Sequence, residues 1–167
     1  MKTKSLSAVH VSLALSLIIG SACAAAVETG TVAPAVAAVD SHGRSVDLAS
    51  LRGKVVYVDF WASWCAPCRR SFPWMNAMHD KYGAKGLVVV GINVDKRRAD
   101  ADRFLAQVPA HFTVAYDPQG DTPKAYAIKG MPSSVLIDTH GRVIAAHAGF
   151  RDEDREMLEA GIRTALQ

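Results

Sequence analysis

The segment Trp61-Ala-Ser-Trp-Cys-Ala-Pro-Cys-Arg-Arg70 holds two thiols with two residues between them. Cys65 and Cys68 admit three chemistries: a structural staple, half of a metal site, or a redox pair. As a staple the pair is poor, because so small a loop removes little entropy from the unfolded chain. A c-type haem needs His directly after the second cysteine, and position 69 is Arg. A structural zinc needs two more ligands at suitable spacing, whereas His42, His79, His111, His140 and His147 are scattered. Two thiolates alone can still hold a soft ion such as copper.

The spacing suits redox work best. A sulfur at a helix N-terminus is stabilised as thiolate by unpaired backbone N–H groups and the helix dipole. The thiolate is the species that attacks a disulfide. Residues three apart on a helix share a face, so Cys68 lies beneath Cys65 as a resolving thiol. Pro67 falls early in that helix, where a missing N–H costs little. Trp64 is placed to shield the sulfurs and offer contact surface, and Trp61 reads equally as core or as site. Arg69 is close enough in sequence to favour a thiolate electrostatically, though exposed helix charges contribute little.

Such a pair needs a strand to deliver it and a helix to receive it. Lys54–Phe60 is apolar and β-branched and reads as a buried strand. Ala66–Tyr82 reads as a helix with Phe72, Met75, Met78, His79 and Tyr82 on one side; Pro73 predicts a kink, and Gly83 and Gly86 end it. Leu87–Val94 is a second buried strand, Ala99–Gln107 a helix with Phe104 and Leu105 inward, and Phe112–Ala115 a short strand. Thr122–Tyr126 begins a helical turn with Thr122 as cap and Pro123 first. Ser133–Asp138 and Val143–Phe150 pair across Thr139–Arg142, and Asp152–Leu166 closes as a helix, acidic early and with Arg163 late. Before all this, Val36–Val39 and Arg44–Asp47 read as a hairpin turning at Asp40–Gly43, and Leu48–Leu51 as one helical turn. The order implies an α/β fold whose central mixed sheet lies between helices, early strands parallel and the late pair antiparallel.

The first residues have another character. Lys2 and Lys4, the apolar run Val9–Ile19 and the small residues Gly20–Ala26 follow the order of a secretory signal peptide. The run is short for a spanning anchor. A lipidated Cys23 is a further option, although Gly20 stands where a lipobox prefers Leu. Removal of residues 1–26 leaves one domain, 27–167. It also takes Lys2 and Lys4 away, lowering the formal net charge from +3 to +1. That balance points to no nucleic acid and no anionic membrane surface. Cys65 and Cys68 are then the remaining cysteines, as suits an exported chain that meets oxidants.

Val58-Asp-Phe-Trp-Ala-Ser-Trp-Cys-Ala-Pro-Cys68, followed by Gly130-Met-Pro-Ser133, resembles the two hallmarks of the thioredoxin superfamily. The leader, the N-terminal hairpin and the stretch around Arg97–Thr113 resemble its TlpA/ResA branch of exported thiol–disulfide oxidoreductases. The resemblance implies a thioredoxin-like fold with an N-terminal β-hairpin and a short central insertion. It implies Cys65 as nucleophile, Cys68 as resolving thiol, and Asp59 as a buried carboxylate that takes the Cys68 proton through water; the alternative for Asp59 is a solvated strand end. It implies a cis Pro132, with backbone at Met131 pairing a substrate strand beside Trp64 and Pro67. It implies a monomer in the periplasm, needing no cofactor or metal, that reduces disulfides of exported proteins and is recharged by a membrane thiol donor of the DsbD/CcdA type. Disulfide donation, and reduction dedicated to cytochrome c maturation, stay open. Against the latter, Ile128-Lys-Gly-Met-Pro-Ser-Ser134 lacks the Gly-Val-x-Gly-x-Pro-Glu-Thr pattern of the CcmG type. Some ResA-like members carry Glu between the cysteines, where this chain has Ala66-Pro67.

Overall fold

The strand that carries Asp59 is the middle of the molecule. The computed structural model describes residues 27–167, so the leader expected over 1–26 lies outside the described residues. In chain order the elements are β1 (Val39–Asp40), a 3-10 turn (Leu48–Leu51), β2 (Val55–Trp61), α1 (Cys68–Tyr82), β3 (Leu87–Asn93), α2 (Arg98–Gln107), β4 (Thr113–Tyr116), α3 (Asp121–Ala125), β5 (Ser133–Ile137), β6 (Val143–Ala148) and α4 (Asp154–Ala165). They form one mixed sheet in the order β1-β4-β3-β2-β5-β6. β3 runs parallel to β2 and to β4, while β5 is antiparallel to both β2 and β6. This is the α/β arrangement expected from the sequence.

All seven residues of β2 are buried, because strands flank it and both its faces are covered. Its alternation builds two cores. Val55, Tyr57 and Trp61 join Cys65, Cys68, Phe72, Met75, Phe104 and Ile162. Val56, Val58 and Phe60 join Val90, Ile92, Tyr126, Val135 and Ile137 on the other side.

Three local expectations need correction. The N-terminal hairpin shrinks to a bridge between Val39 and Ser45, and its first arm pairs instead with β4 as an edge strand. The Asp40 carboxylate accepts from the His42 and Arg44 amides and so curls the chain before a ladder can extend. α1 begins at Cys68 rather than Ala66, since Cys65–Cys68 and Ala66–Arg69 close tighter three-residue bonds first. α1 then runs to Tyr82 with Pro73 inside it. The N-cap of α3 is Gly120, and the Asp117 carboxylate ahead of it accepts from the amides of Gly120 and Thr122 at 2.8 and 2.6 Å. Thr122 accepts from the Ala37 amide instead and ties the N-terminal segment to α3.

Candidate active site

β2 stops at Trp61, and the chain turns at once, with the Cys65 N–H donating to the Ala62 carbonyl at 3.1 Å. The turn is pinned from outside. Ser63 donates its amide and its hydroxyl to the Asp95 carboxylate, both at 2.9 Å, and Asn93 Nδ2 donates to the same carboxylate at 2.7 Å. The parallel pairing of β2 with β3 makes this possible, since Trp61 and Asn93 are in register and both strands end together. Asp95 is 6% exposed and is a site residue that the sequence reading missed. Its signal was a charged residue directly after a buried strand.

Cys65 and Cys68 form a disulfide, S–S 2.04 Å and Cα–Cα 5.4 Å. The Cys68 N–H points at Cys65 Sγ, 3.3 Å away. The Arg69 and Arg70 amides are taken by the carbonyls of Ala66 and Pro67, and the Cys68 amide is shared between Cys65 Sγ and the Cys65 carbonyl, the latter at 3.1 Å. In the disulfide Cys65 is 3% exposed and Cys68 0%, and both belong to the core cluster of Trp61 and Phe72. Trp64 beside them is 70% exposed, whereas Trp61 is fully buried against Phe72 and Phe104. Pro67 is half-buried at the mouth of the helix. The Arg69 guanidinium lies over the Phe104 ring and donates to Gln107, away from the sulfurs.

Asp59 is 2% exposed, and its Oδ2 has no hydrogen-bond partner. Burial holds its carboxyl well above the ordinary carboxylate range. The solvated-strand-end reading of Asp59 is therefore set aside. Its place in the alternation turns it to the face of Tyr57, Trp61 and Cys68. Opposite it on β3 is Gly91, where an added Cβ would lie 2.9 Å from the Phe112 ring and 3.2 Å from Trp61 Nε1. That bare backbone lets Trp61 and Phe112 close over the strand beside Asp59.

The Met131–Pro132 peptide is cis, as the resemblance implied. Ser133 opens β5 opposite Phe60, so Met131 and Pro132 stand at the sheet end from which β2 delivers Cys65. The Pro132 carbonyl accepts from Gly149 at 2.8 Å, whereas no backbone hydrogen bond among the described residues uses the Met131 N–H or C=O. Met131 packs against both cores. A groove of about 300 Å³ runs beside this peptide, lined among others by Ile128, Met131, Pro132 and Ala148.

A mixed sheet with a Cys-x-x-Cys turn at the mouth of a helix and a cis-proline loop beside it defines a thioredoxin-like thiol–disulfide oxidoreductase. The chain matches the Redoxin family over residues 28–162 and belongs to that family. It is 34% identical over 132 residues to the thiol-disulfide oxidoreductase ResA of Bacillus thuringiensis subsp. konkukian, covering 79% of this chain and 75% of that one. With ResA of Bacillus subtilis it shares 29% over 127 residues, 76% and 71% of the two chains. A crystal structure assigned as thiol:disulfide interchange protein DsbE of Chlorobium tepidum superimposes with a TM-score of 0.82 at 54% identity, covering 85% of this chain and all of that one.

Proposed function

We propose that this oxidoreductase is exported and works as a reductase of disulfides in other exported proteins. The observation that carries the site assignment is the Cys68 N–H aimed at Cys65 Sγ, above a buried carboxyl on the same face. That amide favours a thiolate on Cys65. The thiolate attacks a substrate disulfide and forms a mixed disulfide; one substrate sulfur leaves as thiolate. Cys68 then gives its proton to Asp59 and attacks Cys65 Sγ. The substrate's second sulfur departs, leaving the substrate reduced by two electrons and the Cys65–Cys68 pair oxidised. Trp64, Pro67 and the free Met131 backbone are the docking surface. The reducing direction rests on the likeness to the TlpA/ResA branch, and export on the pattern of residues 1–26. A membrane thiol carrier of the DsbD/CcdA type recharges the pair, and the protein acts as a monomer.

Three measurements test this. Iodoacetamide titration of the reduced protein is expected to give Cys65 a midpoint below the free-thiol value of about 8.5, with Cys68 reacting only at higher pH. Equal reactivity of the two thiols would remove the basis of the reading. The equilibrium reduction potential tests direction. A value more negative than roughly −180 mV fits a reductase, and one near the roughly −120 mV of a strong oxidant makes the protein a disulfide donor. Cys68→Ser in the native host is expected to trap exported proteins on Cys65, and capture restricted to cytochrome c precursors would narrow the function to that pathway.

A further inference from the structure

The Asp59 carboxyl is sealed under the sheet, yet the resolving step needs a way to pass its proton on. The register of four strands supplies a line of side chains. Gly91, Asp59, Ser134 and His147 lie directly opposite one another on β3, β2, β5 and β6. Residues opposite in adjacent strands share a face, with Cβ atoms about 5 Å apart. Asp59, Ser134 and His147 therefore project side by side beneath α4. Tyr57, on the same face, lines one cavity with Ser134 and His147, and burial holds its phenol protonated.

Two atoms in this line are buried without a hydrogen-bond partner, Asp59 Oδ2 at one end and His147 Nε2 at the other. Unpartnered buried polar atoms are rare enough to call for a reason. Beside Ser134 and His147 lies a cavity of about 140 Å³, lined also by Tyr57, Leu136, Leu158 and Gly161 among others; Asp59 reaches it through its strand neighbour Ser134. Its wall is mostly apolar, and Tyr57, Ser134 and His147 are the polar residues in it that a bridging water would bond. His147 is also the member that reaches outside, with 22% of its side chain exposed. Its Nε2 stands 3.3 Å from Asp154 Oδ2, out of line for a hydrogen bond. That carboxylate is already occupied by the Arg151 amide and guanidinium.

We infer that Ser134, the cavity beside Tyr57, and His147 form a proton relay that connects Asp59 to solvent on the α4 side, away from the mouth where substrate docks. The inference rests on the role proposed above for Asp59. In the resolving step Cys68 S–H loses its proton to Asp59 as the Cys65–Cys68 bond forms and the substrate sulfur leaves. Asp59 passes that proton to the Ser134 hydroxyl, which releases its own, directly or through water, to His147 Nε2. His147 gives up Nδ1–H to solvent. When the pair is reduced again the same line returns a proton to Cys68. The separation keeps the proton exit open while a protein substrate covers the sulfurs.

A single-turnover reaction of the reduced protein with 5,5′-dithiobis(2-nitrobenzoate) reads the two steps apart. The first nitrothiolate reports attack by Cys65 and the second reports resolution by Cys68. His147→Ala is expected to slow the second release about tenfold or more, to raise its solvent isotope effect, and to leave the first unchanged. Added imidazole should restore the second step. His147→Gln keeps the volume without the shuttle and should be as slow, which guards against a folding defect in the alanine variant. In an Asp59→Asn background His147→Ala should add nothing. An unchanged second release in both His147 variants, with Asp59→Asn slow, overturns the relay and leaves the proposed function standing. An unchanged second release in Asp59→Asn removes the role of Asp59 and the relay with it.

Discussion

On one face of β2, Val56, Val58 and Phe60 meet apolar neighbours from β3, β5 and the Tyr126 region. On the other, the same strand presents Val55, Tyr57, Asp59 and Trp61 toward Cys65, Cys68 and α1. Both faces are equally hidden, so burial alone does not separate scaffold from site. What separates them is satisfaction. Among buried side-chain atoms without a hydrogen-bond partner, Asp59 Oδ2, Trp61 Nε1, Trp74 Nε1 and His147 Nε2 belong to residues on the sulfur side. Unsatisfied polar atoms of this kind cost about 1–3 kcal/mol each. The apolar face offsets that cost, and substitutions on the two faces should move stability in opposite directions.

The largest effect is expected at Phe60. It is fully buried and packs on Tyr126 with ring centroids 5.5 Å apart. Phe60→Ala should lower unfolding free energy by about 3–5 kcal/mol, seen as a shift of the urea midpoint with an unchanged m-value. The alkylation rate of Cys65 in the folded fraction should be unaltered. A change in that rate would show that the scaffold face reaches the chemistry and would erase the contrast.

Asp59→Asn should do the reverse. Neutralising the buried carboxylate is expected to raise stability by about 1–3 kcal/mol at neutral pH, while resolution by Cys68 slows by roughly 10²–10⁴. The pH dependence carries the sign. Unfolded, Asp59 ionises near its usual 3.8; folded, burial raises that midpoint well above it. Between the two values the folded chain holds the extra proton, so stability falls as pH rises through the window and stays lower above the folded midpoint. Asparagine should flatten this slope. A steeper slope or a loss of stability would mean that the ionised carboxylate finds a partner in solution.

Legibility in the sequence followed the range of the interaction. β2 and β3 were readable because short β-branched runs have few other uses, and Asp59 stood out as an acid inside such a run. The cysteine pair and Pro132 were readable through local motifs. The relay was not, because the alignment of Ser134 and His147 with Asp59 depends on register across three strands, with an irregularity between Leu136 and Ile137. A one-residue slip would have sent His147 to the other face. β1 failed for a related reason: its partner β4 lies far along the chain, while the competing Asp40 turn is local. The hold of Asp95 on Ser63 was hidden in the same way, since it depends on β2 and β3 ending together.

The smallest effect on stability is expected at Trp64, which belongs to neither face. It is 70% exposed beside a cysteine that is 3% exposed. An indole so placed adds little to the fold and offers a large rigid contact to a partner. Trp64→Ala should therefore change unfolding free energy by less than about 0.5 kcal/mol. Toward a protein disulfide it should raise KM roughly five- to thirtyfold, the loss of about 1–2 kcal/mol of docking contact. Toward a small aromatic disulfide, which needs only the sulfur, the rate should hold. A stability loss above about 1 kcal/mol would place Trp64 in the core with Trp61. An equal loss toward both disulfides would make it a screen for the sulfurs rather than a docking surface.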